Sequence, residues 1–234
     1  MKKKHIIIGI CIFIVLCLGI ALYFYVLQPA LAKLEWEKTV AQYREAKYAQ
    51  YREENALFED YAVEVAFLGD SLTDGYDLAK YYPQYITANR GIGGDTTFDL
   101  EKRLQLSAYD LKPQVAVLLI GANNFDTMLQ NYEKILIGLK TNLPETKVVV
   151  LSLTAMGGDL WGPNNQKAAY NNVSIKLLAE KYGFTFVDLF TPLYDVTTGE
   201  VYEGYTTDGG HFTHEGYVVL TSLITPVLQD ILGK

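Results

Sequence analysis

The sequence predicts an α/β fold: a parallel sheet with helices on both faces, set behind an apolar N-terminal helix and a helical stalk. Three observations carry this. From residue 63 to residue 232, short apolar runs alternate with longer amphipathic stretches, which is the pattern of repeated βαβ units. Residues 115–120 are continuously apolar, as in strands buried on both faces of a sheet. Residues 6–27 form a run of 22 without a charge, and at ~1.5 Å per residue such a helix crosses a hydrocarbon core of about 30 Å.

Lys2, Lys3 and Lys4 precede the apolar run, which favours a cytoplasmic N-terminus with the rest of the chain outside. Ala30-Leu31-Ala32 fits a small-residue cleavage site, so a cleaved, secreted form is the alternative. The apolar run exceeds the usual signal core of roughly 7–15 residues, and this favours an uncleaved single-pass anchor. Cys11 and Cys17, the two cysteines of the 234-residue chain, both lie in the run, so no disulfide framework is expected in the globular part. Setting the three lysines aside leaves 17 of the 20 basic residues against 27 acidic ones, about −10. That balance argues against nucleic acid as a partner and leaves the apolar helix as the contact with membrane.

After Pro29 comes a Glu-, Lys-, Gln-, Ala- and Tyr-rich segment without glycine, running to about residue 61. Trp36, Val40, Tyr43 and Lys47 recur at three- and four-residue intervals, the spacing of one helical face. The expected division is therefore 1–28 for the anchor, 29–61 for the stalk and 62–234 for the globular domain. Within that domain strands are predicted at 63–68, 85–89, 115–120, 147–153 and 184–187. Helices are predicted at 77–85, 98–106, 126–143, 164–182 and 215–232, with Asp95-Thr96-Thr97 capping the second. Residues 156–165, between a strand and a helix, form a substrate-facing loop because ligands bind beyond the carboxyl ends of parallel strands. Trp161 in that loop is the residue expected to contact substrate.

The first strand breaks at Gly69 and is followed by Asp70-Ser71-Leu72. A serine hydroxyl at that place is a nucleophile only with a base in reach. His5 adjoins the membrane-side lysines, so the base must come from His211 or His214. Asp208 precedes His211 by three residues with two glycines between, so its carboxylate can fold back onto the imidazole and orient it. Three donors are available to an oxyanion: the Ser71 amide, the Gly94 amide in Gly91-Ile92-Gly93-Gly94, and the side chain of Asn123 in Gly121-Ala122-Asn123-Asn124.

These four blocks resemble those of the SGNH hydrolase superfamily, the GDSL-type esterases and lipases. Gly69-Asp70-Ser71-Leu72 matches the first block and Asn89-Arg90-Gly91-Ile92-Gly93-Gly94-Asp95-Thr96 resembles the second. Gly121-Ala122-Asn123-Asn124 resembles the third, and Asp208-Gly209-Gly210-His211 matches the last. The resemblance covers roughly residues 63–232. It implies a flavodoxin-like three-layer α/β/α sandwich and metal-independent hydrolysis of esters or thioesters, with no cofactor. It also implies a Ser71, His211, Asp208 triad and an oxyanion hole of Ser71, Gly94 and Asn123. The third block usually ends in Asp, and Asn124 stands there instead. Altered local hydrogen bonding, rather than loss of activity, is the expected consequence.

The predicted function is a membrane-anchored extracytoplasmic serine esterase acting on short acyl or acetyl esters, with surface polysaccharide as one carrier. Lysophospholipase or thioesterase activity on the same fold is the alternative substrate class. A non-catalytic surface binding module, hinted at by Asn124, is the alternative of another kind. Asp208, His211, His214 and Glu215 also have the residue types of a metal site, but that reading would leave Ser71 without a base. The glycine turn is not a dinucleotide fingerprint, because Thr96 stands where its third glycine belongs.

Overall fold

The computed structural model describes residues 2–234, without the side chains of Lys2, Lys3, Ile6, Ile10, Cys11, Ile12 and Ile14. The side chains of Lys2, Lys3 and Cys11, which bear on the topology and cysteine expectations, thus lie outside the described residues. The chain divides into two compact units, residues 1–49 and 50–234. Helix runs unbroken from α1 (Lys2–Leu22) through a π turn (Tyr23–Leu27) into α2 (Gln28–Asn55). It contains a stretch long and apolar enough to cross a membrane.

α2 stops at Asn55 rather than running to residue 61. The Asn55 amide nitrogen donates to the Leu106 carbonyl (2.8 Å) and its oxygen accepts from Arg90 (3.0 Å). The chain then turns, with Tyr61 at a φ of 64°. The last turns of α2, from Gln50, fall in the second unit, and Tyr51 there is fully buried.

The second unit continues with β1 (Val65–Gly69), α3 (Ser71–Asp74), α4 (Leu78–Tyr81), β2 (Thr87–Gly91) and α5 (Thr97–Leu104), which passes into a π turn (Gln105–Tyr109). β3 (Val115–Leu119), α6 (Leu129–Asn142), β4 (Lys147–Leu151), α7 (Gly158–Trp161), α8 (Asn165–Tyr182) and β5 (Thr185–Val187) follow. α9 (Phe190–Leu193), the short hairpin β6 (Tyr194–Asp195) and β7 (Glu200–Val201), and α10 (His214–Leu232) complete the chain. The five main strands are all parallel, in the order β2-β1-β3-β4-β5. This is the flavodoxin-like doubly wound order.

Alternate residues of the strands enter two separate cores, as the two-residue period requires. Val65, Phe67, Val117 and Val149 pack with Tyr76, Leu220, Ile224 and Leu228 on one face. Leu68, Leu118 and Val150 pack with Leu100, Ile135, Leu139 and Ile175 on the other. The result is a three-layer α/β/α sandwich, and double-sided burial explains why the strands are continuously apolar.

Two expected elements shift. The helix predicted over 77–85 is one turn, because Tyr82 precedes Pro83 and leaves helical geometry (φ −130°, ψ 48°). The second strand lies at Thr87–Gly91, two residues later than periodicity suggests. It ends on Asn89, Arg90 and Gly91: the Asn89 amide donates to the Thr73 (2.7 Å) and Tyr76 (3.0 Å) carbonyls, Arg90 donates to Asn55, and the Gly91 carbonyl accepts from Tyr51. The β6–β7 hairpin has no sequence signal beyond its turn residues.

Candidate active site

The strand order reverses beside β1, so the loops after β1 and β3 part there and leave a crevice at the carboxyl edge of the sheet. Ser71 opens α3 in this crevice. Asp70 caps the helix, its carboxylate accepting from the Leu72 amide (3.1 Å). As the first residue of α3, Ser71 keeps an N–H with no intrahelical acceptor.

Asp208 and His211 sit on a narrow loop closed by the Thr206–Phe212 bridge and by the Thr207 amide donating to the His211 carbonyl (2.8 Å). Gly209 has a φ of 89°, and a Cβ there would lie 1.8 Å from the Gly157 carbonyl oxygen, so only glycine fits. The Gly157 amide donates to the Gly209 carbonyl (2.8 Å), which pins this loop to the one following β4.

On that support the three side chains form one line. Ser71 Oγ lies 3.0 Å from His211 Nε2, and His211 Nδ1 lies 2.8 Å from Asp208 Oδ2. The other Asp208 oxygen accepts from the Gly210 (3.0 Å) and His211 (2.7 Å) amides. Burial pushes the Asp208 carboxyl up, but the His211 amide, the His211 ring and the Gly210 amide outweigh it and hold it well below the usual carboxylate range. Asp70 is the opposite case. Its complete burial drives the carboxyl up to about 7, against the hydrogen bond from Leu72.

Ser71, Leu72, Ala122, Asn123, Thr154, Met156, Trp161, Gly210 and His211 line a cavity of about 20 Å³. Asn123 reaches it from the end of β3, and its Nδ2 donates to the Asp95 carbonyl (3.0 Å). One amide hydrogen is thus spent on holding the side chain and one is left over. Gly94 does not line the cavity. It lies on the turn beside Asp95, at a φ of 79°. Trp161, at the end of α7, stands edge-on to the His211 ring (5.9 Å between centroids).

Asn124 turns away from the cavity. Its Oδ1 accepts from the Thr97 amide (3.2 Å) and its Nδ2 donates to Thr97 Oγ1 (2.9 Å). His214 is also engaged elsewhere, with its Nδ1 at 2.7 Å from the Tyr81 hydroxyl.

Sequence reasoning missed the brace beneath the site. Arg103, almost fully buried, donates to Asp95 Oδ2 (2.7 Å), the Arg90 carbonyl (2.9 Å), Ser107 Oγ (2.7 Å) and the Gly69 carbonyl (2.8 Å). It ties the ends of β1 and β2 to α5, and its charge is met by the buried Asp95. Nothing in the spacing of Arg103 marks it, since it occupies a helical position where a solvated arginine is ordinary. Asn165 is similar: it bonds both the amide and the carbonyl of Met156 (2.8 Å each), holding the loop that brings Trp161 forward.

A model of the GDSL-like lipase/acylhydrolase family matches residues 67–219. No curated protein matches the sequence. Among solved structures, the chain is similar to a protein from Streptococcus pneumonia named as a candidate platelet activating factor. That pair shares 27% identity, with a TM-score of 0.75 over 85% of this chain and 99% of the other. A GDSL-like lipase from Bacteroides thetaiotaomicron matches at 24% identity and TM-score 0.70, over 78% of this chain and 97% of that one. An acetylxylan esterase from Geobacillus stearothermophilus shares the fold at 18% identity and TM-score 0.60, over 72% and 95%.

Proposed function

Because the chain belongs to the GDSL-like lipase/acylhydrolase family of ester-hydrolysing enzymes, we propose that it is a membrane-anchored serine esterase specific for acetyl and other very short acyl esters. The observation that carries this reading is the unbroken line Ser71 Oγ to His211 Nε2 (3.0 Å) and His211 Nδ1 to Asp208 Oδ2 (2.8 Å) at a cavity of about 20 Å³. A volume of that size holds about one water molecule, and so about one methyl group. The apolar contacts of Leu72, Ala122, Met156 and Trp161 suit a methyl.

Ser71 attacks the acyl carbonyl as His211 Nε2 takes its proton, and Asp208 holds the imidazole and stabilises the imidazolium. The Ser71 amide, the Gly94 amide and the second Asn123 amide hydrogen bind the oxyanion. The imidazolium then gives its proton to the leaving alkoxide. Water, deprotonated by His211, attacks the acyl-enzyme and releases the acid. Residues 1–28 anchor the enzyme, the stalk begins at residue 29, and the hydrolase unit takes in the last turns of α2 from Gln50 and runs to residue 234, with the catalytic part outside the cytoplasm. Acetyl groups on a surface polysaccharide are the substrate suited to that position.

The full chain in detergent, assayed on p-nitrophenyl esters from acetate to decanoate, tests this. Turnover should be greatest on acetate and fall steeply beyond butyrate. Equal turnover by Ser71→Ala would defeat the nucleophile assignment, and a maximum on long chains would favour lysophospholipid instead. Loss of activity with a chelator would revive a metal-dependent reading.

A further inference from the structure

We propose that Tyr51, on the last turns of α2, is a positioning residue for catalysis that orients the turn carrying Gly94; this rests on the reading of Gly94 as an oxyanion donor. Tyr51 is fully buried, and its hydroxyl donates to the Gly91 carbonyl at 2.6 Å. Gly91 ends β2, and the Ile92-Gly93-Gly94 turn begins at the next peptide.

That peptide is planar, so its carbonyl and its N–H point to opposite sides and two bonds fix it. Tyr51 holds the Gly91 carbonyl, and the Ile92 amide donates to the Gly69 carbonyl (3.2 Å), two residues before Ser71. Further along, the Gly93 amide donates to Asp74 Oδ2 (3.0 Å) and the Asp95 amide to the Ile92 carbonyl (3.2 Å). The start of the turn lies directly against the α3 backbone, so close that a Cβ on Gly91 would lie 2.1 Å from the Asp74 amide nitrogen.

The tyrosine ring is itself fixed. The Arg90 guanidinium lies 4.6 Å from its centroid. Arg90 is fully buried, pairs with Glu54 and bonds Asn55 Oδ1 (3.0 Å). Since Glu54 and Asn55 lie one turn beyond Tyr51 on the same helix, the last turn of that helix is tied to the end of β2 at three residues. A domain boundary drawn from composition at residue 61 assigns Tyr51 to the stalk. Its contacts make it part of the catalytic machinery's support.

The test compares the full chain in detergent with Tyr51→Phe, and with Tyr132→Phe as a control. The Tyr132 hydroxyl is buried without a hydrogen-bond partner among the described residues. Steady-state kinetics on p-nitrophenyl acetate are read beside amide hydrogen exchange of peptides covering residues 91–96. For Tyr51→Phe, kcat should fall about ten- to hundred-fold with KM nearly unchanged, as for a displaced transition-state donor. Exchange over 91–96 should quicken about ten-fold, and Tyr132→Phe should change neither. Unchanged exchange at 91–96 overturns the proposal whatever the activity. Faster exchange with an unchanged kcat also overturns it, leaving Tyr51 a purely structural residue. If wild type does no better than Ser71→Ala, the esterase reading falls, and exchange alone decides whether Tyr51 holds the turn.

Discussion

Replacing Asn124 by the aspartate usual in its sequence block should weaken the fold while sparing the chemistry. Asn124 starts a directional chain. Its Nδ2 donates to Thr97 Oγ1 (2.9 Å), Thr97 Oγ1 donates to Asn131 Oδ1 (2.7 Å), and Asn131 Nδ2 donates to Glu101 Oε2 (2.9 Å). Thr97 and Asn131 are almost completely buried. A carboxylate at position 124 cannot donate, so the Thr97 hydroxyl must turn toward it. Asn131 then either loses its donor or flips its amide and sets oxygen against the Glu101 carboxylate. Either outcome leaves a buried acceptor unmet, at about 1–3 kcal/mol. A negative charge beside the first amide of α5 returns ~0.5 kcal/mol. The net for Asn124→Asp is ~1–2 kcal/mol, which lowers Tm by about 5 °C in a unit of this size. Thermal unfolding of the full chain in detergent measures it. Adding Glu101→Gln supplies a donor to the flipped Asn131 oxygen and should recover ~1 kcal/mol in a double-mutant cycle. Turnover of the folded enzyme should stay within about three-fold, because Asn123, not Asn124, faces the cavity. A variant as stable as wild type, or a cycle with no coupling, refutes this account.

Three further outcomes are expected. Asp208→Asn should cut kcat by ~10²–10⁴ with little change in KM, since the ring loses its orienting charge; kinetics within ten-fold of wild type contradict the triad. Asp70, with its carboxyl raised to about 7 from 3.8, stabilises the fold fully below about pH 4, and that contribution is lost as pH rises through 7. About three pH units at ~1.4 kcal/mol each give ~4 kcal/mol, read as a fall in urea midpoint between pH 4.5 and 8 that Asp70→Asn lacks; an equal fall in both proteins contradicts it. Trp161→Ala should enlarge the cavity and move the chain-length optimum from acetate toward hexanoate, and an unmoved optimum means the indole does not limit acyl size.

Several parts of this protein are legible in the sequence alone. Double-sided burial makes strands continuously apolar, so β1, β3 and β4 stood out. Gly69, Gly209 and the Asp208 to His211 spacing are local devices, readable because a nearby backbone imposes them. Arg103, Tyr51 and Asn165 were not legible. Each serves the site through partners that only the folded chain brings to it, and each occupies a helical position where its residue type is unremarked. The helix after Asp77 and the start of β2 depart from the sequence pattern for a related reason. Periodicity registers apolar faces, whereas Pro83 and the polar end of β2 answer to backbone geometry and tertiary hydrogen bonds.

By itself the sequence determined the fold class, the family resemblance and the set of side chains around which a serine hydrolase could be built, because those rest on period, composition and short-range spacing. Only the tertiary structure decided that Ser71 and His211, 140 residues apart, meet at 3.0 Å. It alone decided that the cavity beside them holds about 20 Å³, and that the end of an apparent stalk is bonded to Gly91. Those are distances between elements, set by how two cores pack across one sheet, and no local pattern in a chain encodes them.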